Sequence, residues 1–187
     1  MLERKMDTVI LSTPRFDLMT PVREEDFDQI TKIKSNPLVS STQLYGTITS
    51  RGKCRSMFHH YIDDAYSKRR KRWVFGIYTT ERFQKFTGIQ TYIGNVGLER
   101  DSPASTRGSL FFEVDPEFWG LGIASECLAR VIAFAWEKEF SYLMVDPMVG
   151  NEASIRVAKH NGFRDTGRKI VAYNGVLQHL FELKAPK

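Results

Sequence analysis

Cysteine is scarce in this chain, with Cys54 and Cys127 the only two among 187 residues. Two thiols are too few for a disulfide scaffold. Neither has a second ligand at metal-site spacing, so no metal is expected and a reducing, intracellular compartment fits best. No N-x-S/T sequon argues otherwise. Long apolar runs are missing as well: nothing approaches the ~18 residues of a membrane span, and the opening MLERKMDTVILSTPRF lacks the apolar stretch of a signal peptide. A cytoplasmic protein with no membrane partner is expected, the nucleus being the other open location. The common nucleotide loops are absent too. There is no G-x-x-x-x-G-K-S/T, and a G-x-G-x-x-G beginning at Gly120 would need glycine where Ser125 stands. Internal repeats and low-complexity tracts are also lacking.

What is present is an ordinary globular composition, 42% apolar, 12% aromatic and 26% charged, enough for one domain over residues 1–187 with its core at about 9–184. The net charge of +5 would by itself suggest nucleic acid, an anionic membrane or an acidic ligand. The excess is local, however. Residues 51–72 hold eight Lys or Arg against Asp63 and Asp64, leaving 19 basic and 20 acidic groups elsewhere. This segment has no recognisable nucleic-acid module. Its aromatics (Phe58, Tyr61, Tyr66, Trp73) sit at helix-core spacing or open a strand, so nucleic acid is not an expected partner; the run reads first as a solvated helix end, with an acidic substrate, an RNA or ribosome contact and steering of polyanionic CoA as the other readings.

Residues 9–18 are extended and interrupted by Pro14; Pro21 then opens a helix with acids Glu24, Glu25 and Asp26 in its first turn and an apolar face of Phe27, Ile30 and Ile33. Asn36-Pro37 ends it. A second helical pattern covers about 50–67, with Met57, Tyr61 and Ala65 at four-residue spacing. Residues 73–78 and 89–98 read as a hairpin, and 109–115 as a further strand stopped by Pro116. Leu128, Val131, Ile132 and Ala135 form the stripe of an amphipathic helix that includes Cys127 as core. Residues 142–145 are a buried strand, and 151–161 a helix closed by Gly162. Asn174-Gly175 turns a last hairpin. The order of elements makes a mixed α/β sheet.

The richest stretch is Asp115-Pro-Glu-Phe-Trp-Gly-Leu-Gly-Ile-Ala-Ser125. A strand that passes through a glycine-containing turn directly into a helix leaves several N–H groups unpaired and pointing one way, which suits phosphate oxygens. Trp119-x-x-Gly122-x-Ala124 resembles the coenzyme-A loop of the GNAT acyltransferases, in the form D-P-x-x-W-G-x-G-x-A-x-E typical of the ribosomal-protein N-terminal acetyltransferase-like branch. Asn151-x-x-Ser154 followed by Gly162-Phe163 resembles that branch's second block at the expected distance. Leu11-Ser-Thr-Pro-Arg15-Phe-Asp-Leu18 and Ile93-Gly-Asn-Val-Gly97-Leu98 match more weakly.

The resemblance implies a single-domain GNAT fold, α/β (α+β), with a mixed seven-stranded sheet splayed between strands four and five and about four flanking helices. Acetyl-CoA would be the co-substrate, wedged in the gap. Trp119, Gly120, Leu121, Gly122, Ile123, Ala124 and Ser125 would hold its pyrophosphate, the backbone of Glu113 and Val114 would pair with the pantetheine arm, and Asn151 would bond that arm where the strands part. Many family members carry a tyrosine where this chain has Ala158; in the N-x-x-S branch the serine serves, which nominates Ser154 as proton donor to the departing sulfur, the other reading being a serine that caps its helix.

A thioester is already activated, so the reaction needs a neutral amine, an oxyanion site and a thiolate leaving group. Glu113 and Glu99 are the carboxylates best placed to receive the amine's proton, Glu113 lying on the strand face opposite Phe112 and Val114; the other reading of each is a solvated strand residue, and an amine arriving neutral needs neither. His59 and His60 diverge on their helix and read as surface residues. Gln178, before His179, stands where the related branch often has aspartate, which weakens the case for a cationic peptide N-terminus. The expected activity is N-acyl transfer to a small-molecule or peptide amine acceptor. A non-catalytic acyl-CoA-binding or ribosome/RNA-associated module is the alternative, and a homodimer stays open.

Overall fold

Pro14 splits the first extended stretch into two strands, β1 (Val9–Ser12) and β2 (Phe16–Thr20), which fold back as a hairpin pairing Leu11 with Leu18. The computed structural model describes residues 6–46, 48–81, 83 and 92–186. This extra strand makes the sheet eight-stranded, one more than expected. The remaining strands are β3 (Arg72–Thr79), β4 (Tyr92–Arg100), β5 (Arg107–Val114), β6 (Tyr142–Val145), β7 (Arg164–Val171) and β8 (Leu177–Lys184). Their order is β1-β2-β3-β4-β5-β6-β8-β7, antiparallel throughout except for the β5–β6 pair. Residues 82 and 84–91, which include most of the loop expected before Ile89 and the first three residues of the strand expected over 89–98, lie outside the described residues.

Helices cover both faces. A single 3-10 turn at Glu24–Asp26 precedes α1 (Phe27–Ser35), so the acidic residues sit before the helix proper, while Phe27, Ile30 and Ile33 are buried as expected. The short α2 (Pro37–Ser40) follows, with Asn36 capping it through a bond from Leu38 N–H. α3 (Arg51–Asp63) buries Cys54 and Phe58; Met57 and Tyr61, expected in the core stripe, are only partly buried beside it. These helices pack with Tyr78 and Tyr92 on one face of the sheet. On the other face α4 (Ile123–Glu137) buries Cys127, Leu128, Val131, Ile132 and Ala135 against β3–β6, and α5 (Glu152–His160) adds Ile155 and Ala158. Among the described residues no helix is long and apolar enough to cross a membrane.

The basic segment is not simply a solvated helix end. Arg70 is buried, its guanidinium donating to the Asp7 carbonyl, the Thr20 hydroxyl and the Arg72 carbonyl. Arg51 pairs with Asp28 and Arg55 with Glu24, both across to the α1 region. Arg72 opens β3 and grips Glu99 of β4 with two bonds of 2.9 Å. Charge that local sequence assigns to solvent is used here to join elements.

Candidate active site

Backbone conformation sets the loop between β5 and α4. Asp115 accepts the Glu117 N–H to start a tight turn, and the buried Phe118 anchors it. Gly120 and Gly122 then take φ of +78° and +72°, which side chains rarely adopt. Gly122 is the N-cap of α4 and offers no side-chain cap, so the first amides of this 15-residue helix face outward with the positive end of its dipole. A Cβ at Gly120 would meet nothing within 4 Å. The turn is therefore an open cradle of N–H groups.

A cation reaches this loop from the other end of the chain. Arg15, at the β1–β2 corner, donates from Nε to Glu126 at 2.7 Å and from Nη1 to the Leu121 carbonyl at 3.0 Å. Burial would raise the Glu126 carboxyl, but bonds from Thr13 and Arg15 hold it below the usual range. The sequence reading quoted Arg15 only as part of a weak N-terminal pattern. No local signal connects it to Leu121, 106 residues away.

The gap itself follows from pairing. β5 and β6 are in register only from Arg107↔Tyr142 to Ser109↔Met144, after which they part. Beyond that point Phe112 and Val114 turn their carbonyls to the gap, where they accept Gln43 Nε2 at 3.3 Å and Trp119 Nε1 at 2.7 Å. Glu113 differs. Its carbonyl lies against β4, so close that a Cβ on Gly94 would sit 2.3 Å from it. Of the backbone expected to offer pantetheine partners, Val114 faces the gap, joined there by Phe112, while the Glu113 carbonyl turns to β4 and Glu113 contributes its side chain instead.

Two cavities, of about 450 and 430 Å³, meet at this gap and share Thr42, Gln43, Phe112, Glu113, Asn151 and Ser154. The second runs along Trp119, Gly120, Gly122, Ile123, Ala124 and Ser125. The first lies on the α1–α3 side, between Tyr45, Tyr61, Arg72, Glu99 and Asp146. Phe111 forms part of its floor; its ring lies over Gly97 of β4, where any Cβ would collide at 2.0 Å.

Glu113 sits at the junction, with 6% of its surface exposed. It accepts from Lys34 Nζ, Tyr45 Oη and Asn95 Nδ2, each at 2.6 Å. Burial alone would raise its carboxyl; Lys34 and the three bonds overturn that and hold it below the usual range. Burial alone would lower Lys34, and the Glu113 carboxylate turns it upward. Glu99 repeats the pattern at the far end of the first cavity, kept low against burial by Arg72 and Lys71. Both carboxylates expected to receive a proton are committed to cations.

Ser154 lines both cavities in the first turn of α5. The helix is capped by Asn151, whose Oδ1 accepts the Ser154 N–H at 3.1 Å, so the capping role considered for the serine belongs to the asparagine. Asn161 ties the far end of α5 to Ser125 at 3.0 Å. His60 lines the first cavity while His59 is exposed without lining it, and among the described residues no group of three or more His, Cys, Asp or Glu gathers as metal ligands. Buried Gln178 donates to the Asp146 carbonyl, fastening β8 to the end of β6.

Comparison with known proteins agrees with this geometry. Residues 18–164 match the family described as an acetyltransferase (GNAT) domain. An uncharacterized N-acetyltransferase of Schizosaccharomyces pombe is 54% identical over 180 residues, covering 95% of this chain and 96% of its own. Among solved structures, RimL, a ribosomal L7/L12 alpha-N-protein acetyltransferase, superposes with a TM-score of 0.77 at 16% identity and 95% coverage of both chains. The spermidine N-acetyltransferase of Vibrio cholerae, in complex with CoA and spermine, superposes with a TM-score of 0.71 at 14% identity, covering 87% of this chain and 92% of its own.

Proposed function

Because the chain belongs to the GNAT acetyltransferase family, we propose that it transfers the acetyl group of acetyl-CoA directly to a primary amine held in the first cavity. The observation that carries the reading is the meeting of the two cavities at Glu113, Asn151 and Ser154. One side has the chemistry for phosphates: left-handed glycines, uncapped helix amides and nearby Arg15. The other is a mixed apolar and polar cleft, with the gap between them the place for the thioester.

Within this reading the amides of residues 120–125 hold the pyrophosphate, the Trp119 N–H being given to the Pro116 carbonyl, and the gap edge of β5 lines the pantetheine arm. Ser154 gives its hydroxyl proton to the departing sulfur. A free thiol titrates near ~8.5, so this donor assists departure without being indispensable. Glu113 and Glu99, held by Lys34 and Arg72, serve as walls and charge partners rather than proton acceptors.

The α-amine of a peptide fits the first cavity better than a polyamine. From Asn95↔Glu113 to Glu99↔Ser109 the wall advances four residues of strand, about 13 Å, the length of a few extended residues. Two of the three carboxylates that line the cavity and would attract a polycation are already neutralised, leaving Asp146 for a single ammonium.

The test is a thermal-shift titration with acetyl-CoA, followed by free-thiol release with a short free-amine peptide or with spermidine. Stabilisation following RT ln(1 + [L]/Kd) and peptide-dependent release are expected. No stabilisation at millimolar acetyl-CoA sinks the reading; stabilisation without release across the acceptors would instead indicate a binding module.

A further inference from the structure

Three carboxylates line the first cavity, and only Asp146 among them has no cation within ion-pair distance among the described residues. Its position follows from the sheet. Leu143, Val145 and Pro147 are buried toward the core, so alternation turns Asp146 to the same face as Tyr142 and Met144. It stands two residues beyond Met144, the last residue of β6 paired to β5, where the gap has opened and five residues before Asn151. Gln178 from β8 holds the backbone there, and Met148 bridges to the same glutamine. The carboxylate is thus set on a fixed strand end beside the acetyl-transfer gap.

We propose that Asp146 receives the proton of the incoming ammonium and so generates the neutral amine nucleophile, an inference that rests on the acetyltransfer reading above. The nitrogen of an ammonium acceptor sheds two protons during acylation. The first goes to an Asp146 oxygen and from there to solvent. The freed lone pair forms the C–N bond to the acetyl carbon, the C–S bond breaks, and the second nitrogen proton is lost while the sulfur takes one proton to leave as thiol. Burial pushes the Asp146 carboxyl above its ordinary range, against the bonds from its own backbone and Gln178, and so brings its proton affinity nearer to that of an amine.

The other charged groups around the cavity are the Lys34–Glu113 and Arg72–Glu99 pairs, already satisfied, and Tyr45 and Tyr61, both pushed upward chiefly by burial. His60 and Tyr173 complete the set. The test therefore includes His60→Gln and Tyr173→Phe, which keep the wild-type pH limb if Asp146 carries it.

The experiment compares Asp146→Asn and Asp146→Glu with the wild type in full-length protein, using acetyl-CoA and the peptide acceptor over pH 6–10. The asparagine variant is expected to lose about 10²–10⁴-fold in kcat at neutral pH, to recover partly at high pH where the amine is already neutral, and to keep the wild-type thermal shift with acetyl-CoA. The glutamate variant should regain part of the loss. Retention of most activity with an unchanged pH profile overturns the proposal, as does joint loss of acetyl-CoA binding, which would mark a structural residue. A carbon-13 titration of the Asp146 carboxyl needs no acceptor: titration at or below the ordinary aspartate value, ~3.9, overturns it even if the acetyltransfer reading itself fails.

Discussion

Lys34 Nζ and Glu113 Oε1 meet at 2.6 Å in the interior, joining the last turn of α1 to the C-terminal end of β5 where the two cavities meet. Each is almost wholly buried, so each exists as an ion because of the other. Removing one partner strands a charge out of water. Lys34→Met is therefore expected to lose about 3–5 kcal/mol of unfolding free energy, measured by urea denaturation. Lys34→Met combined with Glu113→Gln should lose less than either single change summed. A double-variant loss equal to the sum of the two single losses would mean the pair carries no mutual stabilisation.

The same pair fixes a pH window. Glu113 is held low, so its contribution is present above the unfolded glutamate value near ~4.3 and fades as pH falls through the folded value. Lys34 is held high, so its contribution is full below the unfolded lysine value near ~10.4 and fades as pH rises toward its folded value. The difference in stability between the wild type and the double variant should be flat between these limits and shrink outside them. Denaturation midpoints across pH check the shape.

Gly122 has φ +72° and no backbone within contact range of an added Cβ, the nearest atom being Arg15 Nη2 at 3.7 Å. Gly122→Ala should thus cost roughly 1–2 kcal/mol from conformation alone, with the fold intact. Gly122→Glu should additionally abolish the acetyl-CoA thermal shift by placing a carboxylate in the amide cradle. A retained shift would remove this loop from the cofactor site.

Arg15 is about one-third exposed, so its pair with Glu126 is partly screened. Arg15→Gln should weaken acetyl-CoA by about 1 kcal/mol, roughly fivefold, through the loosened Leu121 segment. Isothermal titration at two salt concentrations measures both the loss and its screening.

Ser154 and Asn151 separate function from capping. Asn151→Ala should destabilise the protein by about 1 kcal/mol, because it removes the cap of α5. Ser154→Ala should leave stability and acetyl-CoA affinity nearly unchanged and lower kcat about 10²-fold. An unchanged kcat would leave sulfur departure to water alone.

The glycine turn, the helix after Asn151 and the Asn174-Gly175 turn were legible because each is a contiguous piece of chain with its own turn or cap chemistry. Lys34 was not. In the last turn of a helix it reads as an ordinary surface cation, and its partner is 79 residues away. Alternation put Glu113 on the correct face of its strand, yet nothing local says that α1 covers that face. Arg72 was legible as charge and illegible as a clamp on Glu99 for the same reason. Asp146 is a single polar residue after a short buried strand, and its setting becomes visible only once β5 is seen to part from β6.

That parting also has a mechanical meaning. The strands from β1 to β5 and those from β6 to β7 are two plates joined along a seam of three parallel residue pairs, Arg107–Ser109 against Tyr142–Met144. Such a seam resists sliding but gives little resistance to a wedge driven in from its open end. Under the acetyltransfer reading proposed above, the amide-rich pantetheine arm would lie in that slot as a temporary extra strand and tie the two plates beyond their seam.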